Sequence, residues 1–159
     1  MNDQPTDAQK LAQLLDDKPI AMMTTFGAEG PRSIPMARQE VRAGEELWFI
    51  TARDTEHTRA IEQEPQVSLT FSARDSWVAL TGRAHVVDDD AKLEELWNTF
   101  AEAWLPEGPR SERSVLIRVD VEKAEYWDSP GSKLASLLSF AEVKLTGDTY
   151  DADHGTVEP

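Results

Sequence analysis

The chain has 159 residues, no cysteine and a net charge of −14. One domain of this length can bury a hydrophobic core, and the lack of cysteine excludes disulfide frameworks, thiolate metal sites and cysteine nucleophiles. The acidic surface suits solubility or a salty cytoplasm, and it disfavours nucleic acid and anionic membranes as partners. The sequence has no signal region and no apolar run of roughly 18–20 residues, which predicts a cytoplasmic protein.

The first half of the chain predicts a helix followed by three strands. Leucines on one face indicate an amphipathic helix over residues 6–18. Residues 20–26 and 32–41 have the pattern of a hairpin, and Pro35 places the second strand at a sheet edge or a bulge because proline lacks a backbone donor. The third strand, residues 47–51, is aromatic and β-branched and follows a turn signal.

A short polar segment after the third strand predicts an anion pocket. Thr51 ends the strand, and Asp54 and Thr55 are suitable N-cap residues for the helix that follows. Free backbone N–H groups at a helix start attract anions, and His57 and Arg59 can add charge there. The pattern therefore indicates a pocket where this strand meets this helix.

The second half of the chain predicts four more strands and two helices. In order, these are strands over residues 66–72 and 77–87, a helix over 88–103, strands over 113–121 and 124–128, and a helix over about 133–143. Gly82 marks a bend or bulge in the second of these strands. The first of these helices should bury one face, which carries Leu93, Leu96, Trp97, Phe100 and Trp104.

The order of the elements predicts a mainly β fold with peripheral helices. Strands that follow one another directly favour antiparallel pairing, and six or seven of them with helices outside suggest a closed or partly closed barrel. We expect one domain over residues 1–159, with flexible tails at 1–5 and about 148–159. Three scattered histidines predict no metal site.

An ordered set of short motifs resembles the pyridoxamine 5′-phosphate oxidase-like split-barrel flavoproteins, and within them the general stress proteins. The resemblance covers nearly the whole chain. The matching segments are Met23-Thr24-Thr25, Ile34-Pro35-Met36, Leu47-Trp48-Phe49-Ile50-Thr51, Val67-Ser68-Leu69, Thr81-Gly82-Arg83-Ala84, Leu96-Trp97, Trp104-Leu105-Pro106, Leu116-Ile117-Arg118-Val119, Ala124-Glu125-Tyr126-Trp127-Asp128 and Thr146-Gly147.

The resemblance implies a six-stranded antiparallel split β-barrel that forms a homodimer, with FMN in each of two clefts between the subunits. It assigns the phosphate and the flavin ring to the second strand, the end of the third strand and the start of the next helix, with a late aromatic residue of the partner nearby. The matching positions are Arg32, Ser33, Ile34, Pro35, Met36, Phe49, Ile50, Thr51, His57, Thr58 and Trp127.

Two positions depart from the pattern of that family at the expected phosphate site. The family usually has an arginine where this chain has Ile34, and a lysine where it has His57. A lost charge-assisted contact could cost about 1.5–3 kcal/mol, or one to two decades in affinity. Arg32, Arg59 and Arg53 are the cations that could compensate.

Three functions are compatible with the sequence. An FMN-dependent oxidoreductase would pass hydride or electrons between a nicotinamide nucleotide and a small acceptor, with the cofactor carrying the chemistry. A flavin store or stress sensor would bind FMN without turnover. A dimeric scaffold with weakened or lost flavin binding would follow from the changes at Ile34 and His57. No catalytic residue is evident from the sequence.

Overall fold

Seven antiparallel strands and four helices form the part of the chain that the computed structural model describes, residues 7–39, 46–128 and 153–157. The helices are α1 (Asp7–Leu15), α2 (Glu56–Gln63), α3 (Asp90–Leu96) and α4 (Thr99–Trp104). The strands are β1 (Ile20–Gly27), β2 (Gly30–Ala37), β3 (Leu47–Ala52), β4 (Gln66–Ser72), β5 (Ser76–Val87), β6 (Ser114–Asp128) and β7 (Asp153–Val157). Within the described residues, no helix is both long enough and apolar enough to cross a bilayer.

The six long strands pair in the order β2-β1-β4-β5-β6-β3, and the ends of this sheet approach each other. Arg38, just after β2, forms an isolated antiparallel bridge with Phe49 of β3, and the Gln39 amide donates to the Trp48 carbonyl at 2.8 Å. This contact partly closes the sheet into a half-barrel. The predicted six-stranded split barrel is therefore confirmed, while the homodimer stays a prediction.

Alternate residues of the strands point into the barrel, as the period-two pattern predicts. Met23, Phe49, Leu69 and Val119 are fully buried there. Burying a side chain of this size contributes about 1.5–3 kcal/mol relative to its exposed state. Hydrophobic burial inside the barrel therefore supplies the main stabilisation of the sheet.

The Arg38 side chain ties α1 to the point where the barrel closes. Its Nε donates to the Lys18 carbonyl at 2.9 Å, and its Nη2 donates to the carbonyls of Leu15 and Asp16. These carbonyls lie at and beyond the C-terminus of α1, where intrahelical partners are lacking. The helix ends at Leu15 and not at residue 18 as predicted.

Two predictions about the sheet are confirmed, one for a proline and one for a glycine. Pro35 lies in β2, which is an edge strand of the sheet path, so its missing donor leaves no ladder bond unmade. Gly82 lies at a register shift between β5 and β6, where Glu122 has no opposite residue on β5. A Cβ at Gly82 would stand 2.3 Å from the Asp120 carbonyl oxygen, so only glycine permits this approach.

The two last predicted strands, residues 113–121 and 124–128, are in fact one strand. β6 runs from Ser114 to Asp128, and the bulge at Glu122 lets the ladder with β5 continue across the polar residues that suggested a break. β6 pairs with β3 over its first half and with β7 over its second half.

The prediction of a single helix over residues 88–103 is wrong, because the helix is interrupted at Trp97 and Asn98. The Asn98 side chain accepts hydrogen bonds from the amides of Phe100 and Ala101, both at 3.0 Å, and starts α4 as an N-cap. The expected apolar stripe is split accordingly. Leu93 and Leu96 are buried under α3, whereas Phe100 on α4 is exposed.

The C-terminal region differs from its prediction where the structure describes it. Residues 153–157 were expected in a flexible tail, but they form β7 and pair with residues 124–128. Backbone pairing alone explains this, since an edge of β6 is open beyond β3. The predicted helix over about 133–143 lies outside the described residues.

Candidate functional site

A cleft of about 560 Å³ opens where β2, β3 and α4 meet. Its volume is that of a typical small-molecule site. The lining is mostly apolar, and none of it carries a titratable side chain: Ile20, Pro35, Met36, Ala37, Gln39, Ile50, Thr51, Ala52, Phe100, Ala101, Trp104 and Leu105.

Backbone of two edge strands forms one side of the cleft. Pro35, Met36 and Ala37 come from β2, and residues 50–52 come from β3. The bridge between Arg38 and Phe49 brings these strands together at one end only. An edge strand presents backbone N–H and C=O groups that its own sheet does not use. The cleft can therefore hold a flat ring by hydrogen bonds to main chain.

Helix α4 forms the opposite side of the cleft. Asn98 fixes its start by capping it, and the same side chain donates through Nδ2 to Oε1 of buried Gln39 at 2.6 Å. Phe100 and Trp104 are 51% and 74% exposed, and their ring centroids lie 6.4 Å apart in a tilted arrangement. Two aromatic faces are thus available beside the cleft for contact with an apolar ligand.

Thr51 joins the cleft to a polar cluster at the start of α2. Nε2 of His57 lies 2.8 Å from Oγ1 of Thr51 and 3.1 Å from Oγ1 of Thr55. Burial, with a smaller effect from the charge of Arg32, lowers the pKa of His57 to about 4. His57 is therefore a neutral hydrogen-bonding group near pH 7.

A capping box between Thr55 and Thr58 starts α2. The Thr58 amide donates to Oγ1 of Thr55 at 3.3 Å, and the Thr55 amide donates to Oγ1 of Thr58 at 3.2 Å. The Thr58 hydroxyl also donates to the carbonyl of Arg53 or Thr55, and the side chain is only 1% exposed. The expected N-cap at Thr55 is confirmed, and Thr58 serves the cap.

Two of the three cations expected near this polar cluster, Arg32 and Arg53, are paired. Arg32 forms an ion pair with Glu56, the first residue of α2. Arg53 is held by the carboxylate of Asp88 and donates to the Glu112 carbonyl at 2.9 Å. In the described part of the chain, no group of three histidine or acidic residues could hold a metal ion.

The structure brings some of the predicted site residues together. Pro35, Met36, Ile50 and Thr51 line the cleft, and His57 contacts Thr51. Arg32 lies close enough to lower the pKa of His57. These six positions lead from the apolar cleft, through Thr51, to the polar cluster at the start of α2.

Other predicted residues lie elsewhere. The Phe49 side chain is in the core, and Ile34 packs against that core. Oγ of Ser33 lies 2.7 Å from Oγ1 of Thr24 on the hairpin. Trp127 lines a second groove of about 580 Å³ with Trp77, and this groove meets the cleft at Ile20.

Sequence reasoning missed Gln39, Asn98 and the two aromatic residues of α4. Asn98 is a favourable N-cap type inside a helical pattern, and this signal could have revealed the break before Phe100. Nothing local distinguishes Gln39, because its role depends on a partner 59 positions away.

Solved structures with the same fold include several general stress proteins. A protein from Jannaschia sp. CCS1, provisionally described as general stress protein 26, is 24% identical, with a TM-score of 0.73 over 93% of this chain and 95% of its own. The general stress FMN/FAD binding protein of Xanthomonas citri is 26% identical, with a TM-score of 0.69 over 77% of this chain and 89% of its own. The chain matches no curated protein.

The sequence pattern of a whole family also matches this chain. The pattern is described as pyridoxamine 5′-phosphate oxidase like, and it spans residues 6–151, which include every strand of the half-barrel and the cleft between them. The chain belongs to the pyridoxamine 5′-phosphate oxidase-like family.

Proposed function

We propose that this protein binds a flavin, FMN, in the cleft between β2, β3 and α4. One observation supports the proposal most strongly. The uncharged, backbone-lined cleft leads to the hydroxyl and imidazole groups of Thr51, Thr55 and His57. A flavin has the same sequence of parts, with a flat ring at one end and a hydroxylated chain at the other. The general stress FMN/FAD binding protein of Xanthomonas citri supports this choice of ligand.

The residues of the cleft fit the ring of a flavin. Main chain of β2 and β3 offers donors and acceptors to its polar edge, and Met36, Ile50 and Leu105 offer apolar contact. The hydroxyl of Thr51 and the ring of His57 would hold the hydroxylated chain. The proposed site therefore needs no charged side chain along the ring.

We further propose that the functional unit is a homodimer formed through the outer face of β1, β4 and β5. Ile20, Met22 and Trp77 are 42%, 41% and 45% exposed on this face. Their neighbours on β1, β2, β4 and the first half of β5 are uncharged: Ser33, Pro35, Ala37, Thr24, Ser68, Thr70, Ser72, Ala79 and Thr81. Charged residues begin at β6, where Glu125 and Lys123 pair with Ala79 and Thr81. An uncharged patch on a chain of net charge −14 favours association with a second copy.

A homodimer would also give Trp127 a role at the cleft. In its own chain Trp127 lines the second groove and not the cleft. A second copy seated on the outer face could bring its own Trp127 towards the flavin, as the family resemblance implies. The second groove and the cleft meet at Ile20, which lies on that face. A Trp127 that a second copy places there would therefore lie next to the cleft.

The reaction that suits this site is transfer of hydride or electrons between a nicotinamide nucleotide and a small acceptor. A bound flavin supplies this redox chemistry. The chain's own groups orient the ring through main chain and exclude water with apolar side chains. No lining residue is titratable, and neutral His57 is a hydrogen-bonding and not a proton-transferring group near pH 7. The same lack of an acid or base also favours the second candidate, a flavin store or stress sensor without turnover.

Titration of the purified protein with FMN tests the proposal. Saturable quenching of flavin fluorescence, with one flavin per chain, is the expected result. No response at tens of micromolar FMN would contradict flavin binding and leave the dimeric scaffold. Bleaching of the bound flavin by NADH or NADPH would favour the enzyme, and a flavin that neither nucleotide reduces would favour the store or sensor. Light scattering during gel filtration gives the number of subunits.

A further inference from the structure

We infer that the phosphate group adds little to flavin binding by this chain, so that riboflavin binds about as tightly as FMN. The inference rests on the proposed flavin site and specifies its ligand class: flavins whose hydroxylated chain is bound whether or not it carries a phosphate. It follows from how the polar end of the cleft is built. There the structure places hydroxyls and a half-buried imidazole, and it pairs Arg32 and two of the backbone donors within the chain.

The imidazole at the polar end is a neutral group held by neutral partners. His57 contacts the hydroxyls of Thr51 and Thr55, and both contacts are within hydrogen-bond distance. A neutral imidazole donates one hydrogen bond, and a hydroxyl donates one. Such groups match the alcohols of a ribityl chain as well as they match a phosphate oxygen. They supply no net charge to distinguish FMN from riboflavin.

Among the described residues, the cation that acts on His57 already has a carboxylate partner. Arg32 is the cation whose charge acts on His57, and its guanidinium is paired with the carboxylate of Glu56. A phosphate that approached Arg32 would have to displace Glu56 or approach its negative charge. Arg53 is likewise paired with Asp88. Arg59 is exposed on α2.

The start of α2 is also partly used. The capping box consumes the amides of Thr55 and Thr58, which a phosphate at a helix start would otherwise contact. The acidic residue Glu56 stands in the first turn and offsets the positive end of the helix. The net charge of −14 adds a repulsive background to any anion. A phosphate therefore gains little here that a hydroxyl does not.

Parallel titrations of the wild-type protein with riboflavin and FMN test the inference. We expect dissociation constants within about tenfold of each other, because a charge-assisted phosphate contact would separate them by ten- to hundredfold. The FMN constant should also change little with salt, since few ionic contacts are screened. FMN binding more than tenfold tighter than riboflavin would overturn the inference and leave the flavin site intact. Binding of neither flavin would overturn the proposed function and this inference with it.

Two substitutions should create the missing preference. Glu56→Gln frees Arg32, and His57→Lys adds a charge next to Thr51. Each should tighten FMN by about tenfold and change riboflavin by less than about twofold. Glu62→Gln is the matched control, because it removes the same charge from an exposed position further along α2. An FMN gain in the control equal to that of Glu56→Gln would show a general charge effect and contradict the role of the ion pair.

Discussion

Among the residues that the structure describes, the outer surface of the sheet is covered by a helix at one end and bare at the other. Over β3 and β6, α3 packs Leu93 and Leu96 onto Leu116, with Trp48 and Ile50 beside them. Over β1, β4 and β5, apolar side chains of similar size remain exposed among small polar ones. Among the described residues, the outer surface is covered where the sheet carries enough leucine and tryptophan to form a second core. The bare face is where we propose that a second copy packs.

Removing a side chain from the covered end should have the largest effect on stability. Leu116 is fully buried between β6 and α3. Leu116→Ala should lower the free energy of unfolding by about 2–5 kcal/mol, through lost burial and an unfilled cavity. Urea denaturation followed by circular dichroism measures this change.

Met22→Ala on the bare face is the control for that substitution. At protein concentrations low enough to give monomers, it should cost less than about 0.5 kcal/mol. An equal loss for both variants in the monomer would remove the contrast between the two ends.

A charge on the bare face should separate the two copies without unfolding either. Met22→Glu puts a carboxylate within the uncharged patch, and the two-fold symmetry of the proposed dimer would place it in both subunits. The dimer dissociation constant should rise by at least about a hundredfold, because like charges would meet in a desolvated interface. Sedimentation velocity measures the constant, and Ala28→Glu on the exposed hairpin turn is the control, because it changes the net charge by the same amount.

Gly82 lies near the boundary between the two ends, and its substitution should have an intermediate effect. Gly82→Ala would force the Asp120 carbonyl away from its position, at a cost of about 1–3 kcal/mol. Because the bulge divides the β3-paired half of β6 from its β7-paired half, amide exchange should speed up on both sides of Glu122. Faster exchange on one side only would show that the two halves of β6 are independent.

A pH-dependent effect concerns His57, which is half-buried on α2. Since the folded-state pKa is lowered from 6.5 to about 4, the unfolded chain binds the proton more readily across this window. The contribution of His57 to stability is fully present above pH 6.5, falls as the pH drops towards 4, and levels off below that. His57→Gln should therefore lose less stability than the wild type on acidification.

Urea denaturation at several pH values across that window measures the difference. His85→Gln is the control, because the His85 side chain is 43% exposed and lies on β5, away from α2. A wild-type slope that His57→Gln leaves unchanged would contradict the burial of the imidazole.

Local patterns in the sequence were sufficient for most of the strands and for their packing. Period-two alternation reveals β4 and β5, Pro35 reveals an edge, and Gly82 reveals a bulge, because each of these effects acts within a few residues of its cause. The break at Asn98 was missed because the apolar spacing of Leu96, Phe100 and Trp104 matches a continuous helix. The capping side chain overrides that spacing.

The candidate site was only partly predictable, because much of it depends on contacts between distant segments. Family resemblance pointed to β2, Thr51 and His57, and the cleft includes or touches these positions. The pairing of Arg32 with Glu56 and of Gln39 with Asn98 has no local signature. Both pairings alter how the site can work, the first by removing a charge and the second by fixing α4.

Arg38 links the N-terminal helix to the ligand cleft in a way that affects unfolding. Its main chain bridges β2 to β3 beside the cleft, while its side chain holds the last carbonyls of α1. Detachment of α1 would release the guanidinium and loosen the strand junction at the same moment. Helix α1 and the end of the barrel that carries the proposed flavin cleft should thus unfold as a single cooperative unit. A flavin bound in that cleft should protect the amides of α1 from exchange although it does not contact them.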